Sequence, residues 1–360
     1  MNMPNLPKKI LIVYSTRPPI IADLAEAFAR LGIDTDYVLA DETHWFDRWI
    51  IRRVNKQLHN FRILPKNRVL FAQHPLAHQN FRSNKLAAKI VTYQPDLVFL
   101  VRGINFNHEV LAQAPKLFGW WIEREERTGE ALREAKFFDW YFFMGRASVE
   151  QARQAGFENV SYQSHVVNPA RFRRLPDCTP KYDVCFVGNW SKHRQRHLEA
   201  ILEVTPNVAI YGRKWRRNNL MNPRLLSAVK GAWIDGEALN TLYNQSRVVF
   251  NATNWGAGPG KARSGMNMRI FEVPASGAFL LTDESREMDE FLIPGEHIGT
   301  YGNLAELQSS LRRYLADSGE RQRVAEKGYQ HVRKNFTYDA FAGQIVNVWQ
   351  NLPENSHVSP

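Results

Sequence analysis

The sequence predicts an α/β protein with two doubly wound parallel sheets, and three observations predict it. Short, continuous apolar runs recur along the chain, as expected for strands covered on both faces rather than one. Stretches with helical spacing separate them, which is the order of successive βαβ units. The series is interrupted once, at residues 168–181, where three prolines and four basic residues give a linker composition, and then restarts.

In the first series, residues 10–14 (Ile-Leu-Ile-Val-Tyr) form the opening strand. Residues 21–31 follow with helical spacing and end at Gly32, a residue suited to the left-handed C-cap. Residues 36–39 make a second strand, and residues 96–101 (Asp-Leu-Val-Phe-Leu-Val) a third, after the breaker Gln94-Pro95. Residues 117–122 and 140–144 repeat the type, 149–156 form a short helix and 160–162 a last strand. The second series begins with the strand 183–187 and Gly188, then a helix at 197–204 and a strand at 208–211 closed by Gly212. A helix at 239–245, a strand at 247–251, a helix at 268–276 and a strand at 278–282 follow. Amphipathic helices at 304–317 and 321–335, a final helix at 336–351 and a polar tail complete the chain. The expected domains are therefore 1–167, a linker at 168–181, 182–335, a C-terminal helix at 336–352 and a tail at 353–360.

The 360 residues are 44% hydrophobic and 23% charged, ordinary globular values that exclude a disordered chain. No apolar run approaches the roughly 20 residues needed to span a bilayer. The run at 10–14 follows two lysines and lacks a cleavage-type tail, so it reads as a strand and not a signal peptide. Two cysteines, Cys178 and Cys185, cannot make a disulfide scaffold, and a reducing, cytoplasmic compartment is expected.

The net charge of +11 is unevenly placed. Residues 48–95 hold ten Lys or Arg and no Asp or Glu, and residues 192–224 hold eight basic residues against Glu199 and Glu203. Such tracts suit a solvated surface or contact with a polyanion: nucleotide phosphates, anionic lipid or nucleic acid. In 48–95 the basic residues interleave with Trp49, Ile50, Ile51, Leu58, Phe61, Ile63 and Leu64, a mixture suited to peripheral attachment at an anionic membrane surface.

Two stretches carry candidate chemistry. Residues 256–265 form a loop with four glycines, Lys261 and Arg263, set between a strand and a helix that opens near Arg269. Glycines let backbone N–H groups approach an anion, and a helix start adds positive potential. Lys261, Arg263 and Arg269 suit the neutralisation of a diphosphate. A Walker loop is excluded, because only three residues separate Gly256 from Gly260-Lys261 and Ala262 stands where a hydroxyl should hold magnesium. The dinucleotide fingerprint is excluded because it belongs after the first strand of a domain. The second stretch, Gly188-Asn189-Trp190-Ser191-Lys192-His193-Arg194, is the first strand-to-helix turn of the second series, with Ser191 as N-cap and Arg194 in the first helical turn. His193 and His197 are spaced i, i+4, but no third ligand is evident and no metal is expected. Trp190 and Trp255 lie in these loops and are candidates to stack on a base or a sugar.

Asp183-Val-Cys-Phe-Val-Gly188, Arg194, the run from Leu242 through Asn251, Arg269-Ile-Phe-Glu272-Val-Pro-Ala-Ser-Gly277-Ala-Phe-Leu-Leu-Thr-Asp283, Phe291, Gly295-Glu296 and Ala325-Glu-Lys-Gly328 together resemble the CgeB-like (spore-maturation) group of GT-B glycosyltransferases, within glycosyltransferase group 1. The resemblance covers about 180–350 well and is weaker before it, where Phe157, Val160 and the run Val166-Val-Asn168-Pro169 with Phe172 look like the end of the family's first domain. It implies two Rossmann-like domains facing across a cleft, a nucleotide-diphosphate sugar as donor on the second and an acceptor on the first. The activity implied is transfer of a sugar to the hydroxyl of a glycan, lipid-linked or protein acceptor, in bacterial surface or spore-coat glycan or in protein glycosylation, without cofactor or metal. The implied donor-binding set is Gly188, Asn189, Arg194, Tyr211, Trp233, Ile234, Lys261, Arg263, Gly265, Met266, Asn267, Arg269 and Glu272. In it Glu272 accepts hydrogen bonds from ribose hydroxyls, Arg194 and the 256–265 loop meet the diphosphate, and Trp233-Ile234 receives the base. Many retaining relatives carry a second glutamate eight positions earlier; here that position is Ser264, which leaves donor sugar and stereochemistry open.

Transfer builds negative charge on the leaving diphosphate, which basic side chains and helix N-termini stabilise. An inverting reaction also needs a base at the acceptor hydroxyl. Glu123, Glu125 and Glu126 follow the strand 117–122, and Glu123 is the chosen candidate, with Arg102 as a contact residue at the end of the strand 96–101. Asp139 and His165 are weaker candidates. Two other readings stand beside this one: a transferase acting on nucleic acid, although no nucleic-acid module is recognisable, and a non-catalytic nucleotide- or glycan-binding module.

Overall fold

The computed structural model describes residues 6–14, 19–65, 67–102, 106–123, 125–219, 221–253, 266–285 and 287–352. Lys261, Arg263, Gly265, Trp255 and Ser264 lie outside the described residues. The chain divides into two compact units, Met1–Gln163 with Ala342–Pro360, and Ser164–Phe341.

The first unit runs β1 (Lys9–Tyr14), α1 (Pro19–Arg30), β2 (Asp34–Leu39), α2 (Arg52–Asn60), α3 (His78–Tyr93), β3 (Leu97–Val101), α4 (His108–Leu111), β4 (Leu117–Trp121), α5 (Thr128–Leu132), β5 (Trp140–Phe143), α6 (Arg146–Gln154) and β6 (Val160–Tyr162). Its strands pair in parallel in the order β2-β1-β3-β4-β5-β6. The second unit runs β7 (Tyr182–Val187), α7 (Lys192–Leu202), β8 (Val208–Tyr211), α8 (Trp215–Asn218), α9 (Pro223–Ala228), β9 (Val229–Gly231), α10 (Gly236–Asn244), β10 (Ser246–Asn251), α11 (Arg269–Ala275), β11 (Leu280–Asp283), β12 (Gly299–Tyr301), α12 (Leu304–Ala316) and α13 (Ser318–Asn335). Its sheet is also parallel, in the order β12-β11-β10-β7-β8-β9. A last helix, α14 (Tyr338–Asn351), starts in the second unit and from Ala342 groups with the first.

The α/β class and the two doubly wound sheets expected from the sequence are those found. The continuous apolar runs have the cause inferred for them, since successive residues of each strand enter different cores. In β7, Val184 and Phe186 pack with Leu198 of α7 and Leu307 of α12, while Cys185 between them packs with Tyr243 of α10 and Val273 of α11. Each fully buried aliphatic or aromatic side chain of this kind contributes about 1.5–3 kcal/mol. In each sheet the chain leaves its first strand in one direction and later returns to the other side of it. The switch points fall between β1 and β3 and between β7 and β10.

The structure differs from the expected elements in several places, among them the short helices α4, α5, α8 and α9, to which the spacing assigns nothing. Residues 48–95, to which the spacing assigns no element, hold a π-helical turn at Asp47–Ile51 leading into α2, and then α3. The three-residue strands β9 and β12 are too short to show a period. Helix α7 begins at Lys192, as the expected Ser191 cap requires, ahead of the apolar spacing that marks it only from 197; Ser191 Oγ accepts from Arg194 N at 3.3 Å. The proline-rich stretch 168–181 is packed on the second unit: Phe172 is buried against Tyr243, and Arg173 N donates to Asn240 Oδ1 at 3.1 Å.

Candidate active site

The second unit's switch point is where the chain places most of the expected donor residues. At the end of β7, Gly188 N donates to Tyr211 O at 2.8 Å, and Gly188 O accepts from the Trp215 indole at 2.7 Å. Gly212, at φ +153, comes so close that a Cβ there would lie 1.9 Å from Gly188 O. Only glycine fits this crossing of two loop backbones. Asn189 Oδ1 accepts from Arg213 N at 3.1 Å, fixing the next loop against the first.

Arg194 joins the two strands that flank the switch point. From α7 it reaches back so that its Nε donates to Ala252 O at 3.0 Å, just beyond β10, and its Nη1 donates to Asn189 O at 2.9 Å, just beyond β7. It is 8% exposed, and its guanidinium lies 5.5 Å from the Phe186 ring. Burial pulls its pKa down to about 10, and the charge of Arg269 pushes in the same direction. Arg269 opens α11, and its Nε is buried without a hydrogen-bond partner among the described residues. Two neighbouring guanidiniums, one incompletely satisfied, make a site of positive potential that an anion would relieve.

Glu272, in the first turn of α11, is 8% exposed, and the Tyr243 hydroxyl donates to its Oε2 across a long 3.5 Å. Tyr243 is fully buried, and burial, then the Glu272 charge, hold its phenol protonated far above the usual range. Asn267 donates to Asn251 Oδ1 at 3.1 Å, and Asn251 donates to Thr282 Oγ1 at 2.9 Å. Asp283 accepts from Thr253 N at 3.0 and 3.1 Å and from Thr253 Oγ1 at 3.0 Å. This buried network holds the chain on both sides of residues 254–265. Asn251, Thr253 and Asp283 were not among the expected site residues; their signal is a polar residue closing an apolar strand at its carboxyl end. Met266 is 1% exposed inside the apolar core, so its side chain serves packing.

Beyond β8 and β9, the Tyr211 ring is half-buried, its phenol pushed upward by burial, and Ile234 packs against the same cluster. Trp233 is 66% exposed; its Nε1 donates to Asp235 Oδ2 at 2.9 Å, and the Arg213 guanidinium stands 5.4 Å from its ring. The structure thus gathers Gly188, Asn189, Tyr211, Trp233 and Ile234 on one side of Arg194, and Arg269 with Glu272 on the other. His197 binds His193 O at 2.8 Å through Nδ1 and lies among Phe250 and Tyr301, a packing role. Among the described residues, no group of three His, Cys, Asp or Glu is placed to hold a metal ion.

In the first unit, Arg102 follows β3 in the left-handed region at φ +56, an uncommon conformation for a residue with a side chain. Its Nε pairs with Glu123 Oε1, and Arg127 Nη1 lies 3.0 Å from Glu123 Oε2. Arg127 in turn lies 2.6 Å from Glu130, whose carboxyl this hydrogen bond holds below its ordinary range. Glu123 is thus engaged through both oxygens. Asp139 accepts from Leu117 N at 2.7 Å, at the amino ends of β4 and β5, the edge opposite to where parallel sheets bind ligands. His165 is 7% exposed, and burial pushes its pKa down to about 4.

Residues 186–347 match the family model described as Glycosyl transferase-like. Among curated proteins none matches the chain. Solved structures match along nearly its whole length. HepE of Anabaena, in complex with UDP-glucose, is 14% identical with a TM-score of 0.66, covering 96% of this chain and 100% of its own. A glycosyltransferase from Rickettsia africae is 13% identical with a TM-score of 0.65, covering 97% and 100%. Sucrose-phosphate synthase from Thermosynechococcus elongatus is 12% identical with a TM-score of 0.64, covering 96% and 99%. The fold of this chain is that of the GT-B glycosyltransferases, and the family match falls on the part of it that carries Arg194, Arg269 and Glu272.

Proposed function

We propose that the chain is a nucleotide-sugar-dependent glycosyltransferase that holds a UDP-hexose or similar donor at the switch point between β7 and β10. One observation carries the reading: Arg194 is fixed at the carboxyl ends of β7 and β10 by Asn189 O and Ala252 O, and Arg269, its Nε buried without a hydrogen-bond partner among the described residues, opens the helix that carries the Glu272 carboxylate. A diphosphate offsets the repulsion between the guanidiniums, and the carboxylate offers two acceptor oxygens to ribose hydroxyls. Lys261 and Arg263 are proposed to add to the diphosphate contacts. HepE, bound to UDP-glucose, supports the choice of donor class through its shared fold.

In the reaction, an acceptor oxygen bonds to the anomeric carbon as the bond from that carbon to the diphosphate oxygen breaks. The electron pair leaves with the diphosphate, where Arg194 and Arg269 stabilise it. The acceptor proton goes to a base, for which Glu123 is proposed, its Oε2 leaving Arg127 to accept the proton while the ion pair with Arg102 orients the carboxylate. Bacterial surface or spore-coat glycans, or proteins, are the proposed acceptors, in keeping with the CgeB-like resemblance. Residues 45–71, where exposed Trp45, Trp49, Phe61, Ile63 and Phe71 alternate with basic side chains, are proposed to rest on anionic lipid at the cytoplasmic membrane face.

Calorimetry against UDP and UDP-glucose tests the reading. The wild type is expected to bind, and Glu272→Gln to bind more weakly by about 1–3 kcal/mol, the effect of leaving hydroxyl partners unmet. An unchanged affinity removes Glu272 from the site. Binding without donor hydrolysis or transfer to any acceptor would make the chain a binding module instead.

A further inference from the structure

The first unit contains a cavity of about 1000 Å³ at its own switch point, where β1 and β3 end. Val13 of β1, Val101 of β3 and Phe106 line its apolar floor. Its polar lining is mainly cationic. Arg52, Lys56, Arg82 and Arg102 face Asp41 and Asp47, with His59 and His78 beside them.

The positive charge is built in. Arg82 is only 6% exposed; its guanidinium lies 5.1 Å from the Phe106 ring, and Glu134 and Asp41 act on it as opposing charges. Asp47 is committed to the protein, accepting from Arg52 Nε at 2.6 Å and from His78 N at 3.2 Å. Lys56 has no ion pair among the described residues. His78 Nε2 is buried without a hydrogen-bond partner among the described residues. Burial first, then the charges of Arg82 and Arg52, lower the affinity of His78 for a second proton. The wall is rigid as well: Asn55 donates to Leu70 O at 3.0 Å and accepts from Leu70 N at 2.6 Å, and His59 Nε2 meets Arg68 O at 2.8 Å. An apolar floor beside the Arg82 guanidinium, the Lys56 ammonium and a His78 ring N–H left to donate suits a ligand with an anionic group on a less polar body.

We infer that this cavity is a binding site for the phosphate group of the acceptor, held by Arg82, Lys56 and His78. The inference rests on the glycosyltransferase reading for the word acceptor, while the phosphate site itself stands on the cavity alone. The same phosphate chemistry occurs on a soluble phosphorylated acceptor and on a phospholipid headgroup.

The test measures binding of glycerol phosphate by calorimetry, and of phosphatidylglycerol vesicles by co-sedimentation, to the full chain and to Arg82→Gln and Lys56→Gln. UDP affinity is measured on the same samples. Lys56 is exposed, so its variant keeps the fold if the buried Arg82 variant does not. The expected result is saturable binding weakened about tenfold or more by each substitution, the size set by losing one hydrogen bond to a charged group, with UDP affinity unchanged. Binding of glycerol phosphate identifies a soluble acceptor, and binding of vesicles alone, lost in Arg82→Gln or Lys56→Gln and persisting in 1 M salt where surface adsorption is screened, identifies a lipid headgroup. No saturable binding in either arm, or binding that both variants leave intact, overturns the proposal. Failure to bind UDP with the phosphate site intact overturns the transferase reading instead.

Discussion

Arg194 illustrates how a single side chain acts at this site. A lysine would keep the charge but could not bond Ala252 O and Asn189 O at once, because only the guanidinium fork reaches both. The position was legible as a basic residue in the first turn after a glycine. Its tie to β10 was not, because Ala252 lies 58 positions away. His165 shows the opposite relation between sequence and role. Read as a weak candidate base, it is buried with a pKa near 4. An unfolded histidine takes up its proton near pH 6.5, so the unfolded state binds more protons between these values. Stability is therefore full above about pH 6.5 and is lost as the pH falls toward 4, by roughly 3 kcal/mol from this group. Urea midpoints at pH 7 and pH 4.5 should show that loss, and His165→Gln should flatten it. An equal slope in the variant would assign the loss to other groups.

At the scale of elements, the short apolar strands were plain in the sequence because burial on both faces leaves no polar position in them. Helices α2 and α3 were not. Residues 48–95 bury little of their apolar content, so the helical period is masked by exposed Trp49, Ile50 and Val54. Two glycines in neighbouring helices allow a direct comparison of packing with propensity. Gly328 of α13 lies under the loop after β11, where a Cβ would come 2.2 Å from His297 O. Gly343 of α14 has nothing within 4 Å. Alanine gains up to about 1 kcal/mol in an open helix, whereas overpacking typically costs about 1–3 kcal/mol. Gly328→Ala should therefore lower the denaturation midpoint and Gly343→Ala should leave it equal or higher. A stabilised Gly328→Ala would mean that the backbone at His297 yields freely.

For the molecule as a whole, surface chemistry is concentrated in one region. Of the sixteen large apolar side chains exposed among the described residues, nine lie between Trp45 and Phe71. Arg53 stacks on Trp49 at 4.1 Å, so cation and ring present themselves together. No helix of the described residues is long and apolar enough to cross a membrane. Adsorption is the mode this surface suits, and vesicles rich in phosphatidylglycerol should sediment the protein at low salt. Binding should weaken near 1 M salt, where the screening length falls to about 3 Å, and should drop in a Trp49→Ser, Phe61→Ser double variant. Equal sedimentation of that variant would exclude the patch.

The α/β class and the positions of most strands were legible along the chain, since hydrophobic period and glycine or proline breaks are local properties that burial imposes on neighbouring residues. The sequence also marked Gly188 and Arg194, a turn glycine and a basic residue in the first helical turn, while Glu272 was marked by the resemblance to the glycosyltransferases. Chain packing alone sets Arg194 on Ala252 O, Asp283 on Thr253 and Asn251 on Asn267, and divides the cations of 48–95 between a cavity wall and an open surface. Those outcomes depend on which strands become neighbours across long stretches of chain, and no local period carries that information.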